Sequence, residues 1–371
     1  MRLLRYVYSR LSEDLLLLAL VFGFVLFALF TPLQWHQLHE LVNWHTIAIL
    51  GGLMVLSRGL EDSGALVQSG YWLLAHTHSE RALALALVLF AALLSAVITN
   101  DVALFIVVPL TISLSKLADL PIGRLVIFQA LAVNAGSAVS PIGNPQNLYL
   151  WQRSGDSFIS FIWQMLPISA WMLAALLLIT TLAFSGRQID IHTLAAASPT
   201  RRKLFWVSLL CFPTFLLLLE WGFISLAVTG VLLLYLFCWR RVLQGVDWLI
   251  LIIFVLMFVN LGLLAQLPFM IQATDKLLAL PGGEITGTIL LSQIISNVPA
   301  TIFLAEFSQH WYGLAWGANV GGFGLAIGSL ANLIALRLGK QPGLWLPFHA
   351  WSIAMLLISL LGAFLLMRFI S

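Results

Sequence analysis

Charge is what this sequence has least of. Only 9% of its 371 residues are Asp, Glu, Lys or Arg, while 61% are hydrophobic. A soluble chain carries about 25% charged residues, so this shortage excludes a water-soluble globular domain. Cysteine is nearly absent too. Cys211 and Cys238 both sit in apolar runs and read as packing residues, not as a disulfide or a metal pair. Catalytic signatures are also missing. Neither G-x-S-x-G nor G-x-x-x-x-G-K-[ST] occurs, which leaves an intramembrane serine hydrolase and an on-chain ATP motor unsupported. His36, His39, Glu40 and His45 in HQLHELVNWH match neither H-E-x-x-H nor H-x-x-E-H, so they read as interfacial residues of an external loop. His76 and His78 read the same way. No catalytic residue, metal or cofactor is expected, and the net charge of +3 reflects loop Lys and Arg, with no nucleic-acid partner implied.

What is present is apolar length. Runs fall at about 15–30, 44–60, 82–98, 102–114, 124–150, 161–184, 204–219, 221–239, 248–264, 286–305, 315–337 and 346–370, and about 20 apolar residues cross a bilayer as a helix. The first run follows Arg2, Arg5 and Arg10 without a small-residue cleavage site, so it is expected to stay as a first helix. Positive clusters orient the rest: those three arginines, then Arg187 with Arg201, Arg202 and Lys203, then Arg240 and Arg241, then Arg337 and Lys340. Placing all four in the cytoplasm requires an even number of crossings between each pair. The count works if two interrupted runs enter and leave on the same side. The expectation is nine spans plus two re-entrant hairpins, with the N-terminus cytoplasmic and the C-terminus periplasmic.

An internal repeat fixes the architecture further. Residues 134–148 read NAGSAVSPIGNPQNL and residues 319–333 read NVGGFGLAIGSLANL; at a constant offset of 185, six of fifteen positions are identical. Each copy follows its own interrupted hairpin, ITNDVA or ISNVPA. By the charge argument the hairpins enter from opposite sides, so the expected fold is an all-α polytopic membrane protein of two inverted-topology repeats, a secondary-transporter pattern. Each repeat holds a re-entrant hairpin and a broken transmembrane helix. The first repeat is placed at 1–184 (hairpin about 82–115, broken helix about 124–151), a cytoplasmic linker plus extra span at 185–220, and the second repeat at 221–371 (hairpin about 286–310, broken helix about 315–337).

Backbone breaks at membrane depth survive only where protein or water satisfies the freed N–H and C=O groups. Two broken helices and two hairpin tips would meet around a cavity. Asn144 before Pro145 reads as an N-cap, with Ser329 in the matching place, and Asn100 and Asn297 are expected to cap the returning hairpin arms. Helix N-termini there would attract an anion without a basic side chain, and carbonyls around Gly143 and Gly328 would suit a small cation. Asp101 is the deep carboxylate. It reads either as the carrier of a coupling H+ or Na+ or as a carboxyl bonded to backbone N–H groups at its own helix start. Gly317 and Gly321 read as helix packing.

ITNDVALFIVVPL, NAGSAVSPIGNPQNLYLW, ISNVPATIFLAEF and LSRGLEDSGAL together resemble the ion transporter superfamily, most closely its arsenite-permease and CitM citrate-transporter branch. The compact length is similar to the YbiR-type anion transporters of the bacterial inner membrane. The resemblance covers nearly the whole chain. It implies elevator-like alternating access, often by dimers, so a homodimer in the lipid bilayer is admitted as a partner state. It also implies a half-site of Thr99, Asn100, Asp101, Gly143, Asn144 and Asn147 and another of Ser296, Asn297, Gly328, Ser329 and Asn332; the repeat adds Asn134 and Asn319. The dicarboxylate branch has Ser-Asn-Thr at both tips, where this chain has Asp101 and Val298, so the resemblance points toward the proton-coupled arsenite side. The expected function is secondary-active transport of a small anion or oxyacid coupled to H+ or Na+, with a Na+/H+ antiporter or an arsenite and antimonite efflux permease as the alternative. A channel or an intramembrane enzyme is the remoter alternative, and saturable, gradient-coupled flux separates a transporter from a channel.

Overall fold

Proline, glycine and short polar residues cut the apolar runs into helices at points readable from cap chemistry. The computed structural model describes residues 15–30, 35–114, 120–189, 200–339 and 343–370. The arginines at the extreme N-terminus, Lys340 and part of the expected linker lie outside the described residues. The helices are α1 (Leu15–Phe30), α2 (Trp35–Leu41), α3 (Trp44–Asp62), α4 (Ala65–Ala75), α5 (Glu80–Val97), α6 (Asn100–Leu114), α7 (Ile122–Ser137), α8 (Pro145–Ser154), α9 (Phe158–Ala183), α10 (Arg202–Glu220), α11 (Ile224–Cys238) and α12 (Arg240–Gly245). They continue with α13 (Leu249–Ala265), α14 (Pro268–Leu278), α15 (Gly283–Ile295), α16 (Asn297–Leu304), α17 (Trp311–Val320), a 3-10 turn at Ala326–Gly328, α18 (Leu330–Gly339) and α19 (Trp345–Ile370). Asn43, Ser79, Asn144 and Ser157 each accept a backbone N–H from the first turn of the helix they precede, which satisfies a donor that has no intrahelical partner.

Both expected interruptions of the repeat are real breaks. The 124–150 run becomes α7 and α8, and the 315–337 run becomes α17, the 3-10 turn and α18. The two hairpin runs divide into α5 with α6 and α15 with α16. By length and composition, four helices among the described residues are able to cross a membrane singly: α5, α9, α10 and α19. Three features depart from the sequence reading. HQLHELVNWH contains a short helix, α2. Residues 65–75 form α4. Leu249–Ala265 turns by 92° into Pro268–Leu278, because Pro268 begins a new helix at a position where its missing N–H costs nothing.

Packing divides the helices into two groups. Helices α3, α10, α11 and α12 pack on one another, and α13 packs on α1, α2, α3 and α14 and also reaches α16 of the other group. The other group contains α5 to α9 and α15 to α19. Within it, α6 packs on α18 while α16 packs on α8, so each hairpin's returning arm lies against the far half of the other broken helix. Between apolar helices lipid competes equally well for burial, and close backbone approach supplies the contact instead. Gly136 lies so near Ala92 that a Cβ there would overlap the Ala92 backbone. Leu93, Leu182 and Ile294 stay largely exposed, as suits an outer face in contact with lipid.

Candidate functional site

The two broken-helix loops meet in the interior through side-chain amides. Asn134 of α7 donates Nδ2 to Asn332 Oδ1 of α18 at 2.8 Å. Asn319 of α17 donates Nδ2 to Asn147 Oδ1 of α8 at 2.7 Å. Asn144 Nδ2 donates to Asn319 Oδ1 at 2.9 Å, and Ser329 Oγ donates to Asn134 Oδ1 at 3.2 Å. Asn134 and Asn319, Asn147 and Asn332, and Asn144 and Ser329 are each 185 apart. Shifting one bond of each pair by that offset therefore gives the other, with the halves exchanged. All six residues are buried, Asn147 and Asn332 completely, so these bonds stand in for water that does not reach them.

The remaining amide hydrogens fasten backbone. Asn147 Nδ2 reaches Ser140 O and Ala138 O, both at 3.1 Å. Asn332 Nδ2 reaches Gly322 O at 2.8 Å, and Asn319 Nδ2 also reaches Ala315 O at 2.8 Å. Carbonyls freed by the breaks are thus satisfied from the side, the condition for a broken helix in hydrocarbon. Gly143 packs onto the Ser137 backbone closely enough that no Cβ fits, and a Cβ on Gly328 would stand 2.7 Å from Gly321 O.

The hairpin tips join the same region. Asn100 donates its backbone N–H to Gly143 O at 2.9 Å, tying the first tip to the first broken helix. Asn297 donates Nδ2 to Ala318 O at 3.3 Å. Neither caps its helix as expected: each is the first helical residue. Asn100 Oδ1 instead accepts from the adjacent Asp101 N–H at 3.0 Å, and the cap position of α16 belongs to Ser296. Ser296 has φ 75° and ψ 155°, the one non-glycine residue at positive φ among those described. Such a conformation costs on the order of 1–3 kcal/mol for a side chain. Thr99 is buried at the first tip. Asp101 is half-buried in the first turn of α6, and among the described residues nothing bonds to its carboxylate. The second reading of Asp101, a carboxyl bonded to N–H groups at its own helix start, therefore has no support.

Asn144 is the N-cap foreseen for it: its Oδ1 accepts from Asn147 N–H at 2.9 Å with Pro145 next in line. Ser329 occupies the equivalent place, but its hydroxyl points to Asn134. Gly321 is a packing residue as read, its absent Cβ position lying 2.7 Å from Ser292 Oγ.

Sequence reasoning missed a cavity of about 520 Å³ at the seam of the two helix groups, lined among others by Asn43, Phe258, Tyr149, Arg153 and Glu306. Arg153 Nη1 lies 3.5 Å from Glu306 Oε1 and donates to Tyr149 Oη at 3.3 Å. Arg153 in the last turn of α8 was the available signal, since a cation there complements the helix dipole. Gln293, His349 and Ser352 were missed as well. All three bond the second broken-helix loop, and nothing local marks them.

Known proteins bear on this arrangement. A protein-family model described as "Citrate transporter" (CitMHS) matches residues 11–311. The chain belongs to this citrate-transporter family. Members and relatives extend the match along the chain. The inner membrane protein YbiR of Escherichia coli is 44% identical over 359 residues, covering 95% of this chain and 94% of that one. An "uncharacterized transporter" of Methanocaldococcus jannaschii is 32% identical over 311 residues, covering 82% and 83%. A Dictyostelium discoideum protein bearing the name arsB is 28% identical over 141 residues, 38% of this chain and 25% of its own. For a citrate-transporter family member, apolar helices broken at paired polar loops are the chemistry of a membrane transporter. The expected membrane location and transporter class therefore hold.

Proposed function

We propose that the protein is a secondary-active transporter of a small anion or oxyacid, coupled to H+ or Na+, that works by elevator-type alternating access. The observation that carries this reading is the exchanged pair of amide bonds, Asn134 to Asn332 and Asn319 to Asn147. Under a two-fold relation a contact from i to j implies its mate from i′ to j′. Bonds that repeat in this way support two inverted repeats, 1–184 and 221–371, around one central site. The crosswise packing of α6 on α18 and α16 on α8 supports it too.

In this reading the N-termini of α8 and α18 and the tip residues Thr99, Asn100, Ser296 and Asn297 face the substrate. Helix N-termini attract anions with free N–H donors and partial positive charge. Gly143 and Gly328 let the loops close tightly, and Asn134, Asn144, Asn147, Asn319, Ser329 and Asn332 belong to the site through the loops they fasten. Asp101 carries the coupling ion. The group containing α5 to α9 and α15 to α19 moves past the other, and the cavity at Arg153 lies on the seam between them.

The test is ion flux in proteoliposomes loaded with a pH dye and challenged in turn with citrate, succinate, sulfate, arsenite and sodium. A saturable response to one compound supports transport and assigns its class. A non-saturating conductance would replace the transporter with a channel. Arsenite efflux is the second reading, favoured by the likeness to the arsB-named relative and by a carboxylate at the first tip.

A further inference from the structure

The second broken-helix loop is fastened differently from the first. Three consecutive backbone N–H groups there each donate to a side chain of a neighbouring helix. Gly324 donates to Ser352 Oγ at 2.9 Å, Leu325 to Gln293 Oε1 at 2.8 Å and Ala326 to His349 Nε2 at 3.2 Å. The first loop satisfies itself, with Ile142 N–H on Ser140 Oγ at 3.3 Å and Gly143 N–H on Ser140 O at 3.2 Å. Of the five acceptors that hold these two loops in this way, one belongs to a side chain able to take up a proton and become a cation: the His349 ring.

Its partners determine its protonation. A backbone N–H only donates, so Nε2 must keep its lone pair. The other ring nitrogen, Nδ1, lies 2.7 Å from Trp345 O, and a carbonyl only accepts, so Nδ1 carries the hydrogen. His349 is thus a neutral Nδ1–H tautomer, and a proton added at Nε2 removes the acceptor and sets two donors face to face. Among the described residues the rest of the surroundings offers the ring no charged partner. Trp345 and Phe348 pack their rings against it. Of the helices against α19, α9 has no titratable group, α17 has Tyr312 and α7 has Arg124, which is engaged by Ala183 O at 2.6 Å and the Phe184 ring. The charged side chains of α15, α18 and α19 themselves are Glu284, Arg337 and Arg368, and none is paired with the ring.

We infer that His349 is a proton-sensitive positioning residue for the second broken-helix loop: the neutral ring holds Ala326, and the protonated ring releases the loop that carries Gly328 and Ser329. This rests on the reading of that loop as half of a transport site. It adds a protonation step in the second half, which has no counterpart of Asp101.

The experiment compares wild type, His349→Gln and His349→Ala, each reconstituted at full length, by the pH dependence of radiolabelled citrate uptake from about pH 5 to about pH 8, where imidazoles ordinarily change charge. A glutamine Oε1 accepts the Ala326 N–H but does not titrate. The wild-type KM is expected to rise on acidification by roughly five-fold, the equivalent of one hydrogen bond. His349→Gln should keep the high-pH KM and lose that rise, and His349→Ala should show the raised KM throughout. An unchanged acid limb in His349→Gln would overturn the inference. A second measurement does not need transport. Ring nitrogen shifts of 15N-histidine-labelled protein in nanodiscs, assigned by the signal missing from His349→Gln, should show a protonated Nδ1 and a bare Nε2 at high pH. The opposite tautomer would end the proposal. Absent citrate uptake with the expected ring signals would put the failure in the transport or substrate reading and leave the role of His349 standing.

Discussion

Asn319 and Asn147, 172 residues apart in the chain, share a 2.7 Å amide bond in the interior, and the bond joins the first broken helix to the second. Asn319→Ala removes the acceptor of Asn144 and the donor of Asn147 together. The expected loss is about 1–3 kcal/mol, the cost of stranding buried polar groups. In a double-mutant cycle with Asn147→Ala the two losses should fall short of additive by about 1 kcal/mol. Strict additivity in thermal unfolding would mean that the pair does not hold the halves together.

Gly143→Ala should abolish uptake while leaving expression measurable. The new Cβ meets the Ser137 backbone, which cannot swing aside as a flexible side chain does. Overpacking of that kind costs about 1–3 kcal/mol, concentrated at the cap of α8. Gly230→Ala is the control, because nothing lies within 4 Å of its would-be Cβ; equal damage from both would remove the steric argument.

Ser296→Gly should raise the melting temperature. The φ of 75° is strained for serine and free for glycine, so relief of about 1 kcal/mol is expected. Ser296→Val should move stability the other way. A drop in stability for the glycine variant would show that the serine hydroxyl outweighs the strain.

Asp101→Asn keeps the shape of the side chain and removes its charge. Proton-driven flux should fall to background while the protein remains folded, since no bond to the carboxylate exists to be lost among the described residues. Flux that keeps its pH dependence would take Asp101 out of the coupling mechanism.

Much of the helical plan was legible because caps and breakers act locally. Asn144 with Pro145 marks a helix start within a turn of itself, and the offset of 185 located both breaks. The hairpin tips were less legible. Asn100 and Asn297 look like caps, but the chain turns one residue earlier, at Ser296 by means of a strained φ. The bend before Pro268 was hidden by an apolar run that continues through it.

The sequence by itself determined that the solvent is lipid, where the two repeated runs break, and that two segments carry the same polar pattern. Those properties depend on composition and on neighbours within a few residues. Tertiary structure alone decided which amide meets which, that the Asp101 carboxylate has no partner among the described residues while the Asn134 side chain has three, and that His349 accepts the backbone N–H of Ala326. Each of these depends on side chains brought together from distant points of the chain. A polar group in hydrocarbon must find its partner wherever packing places one, and no local pattern records that choice.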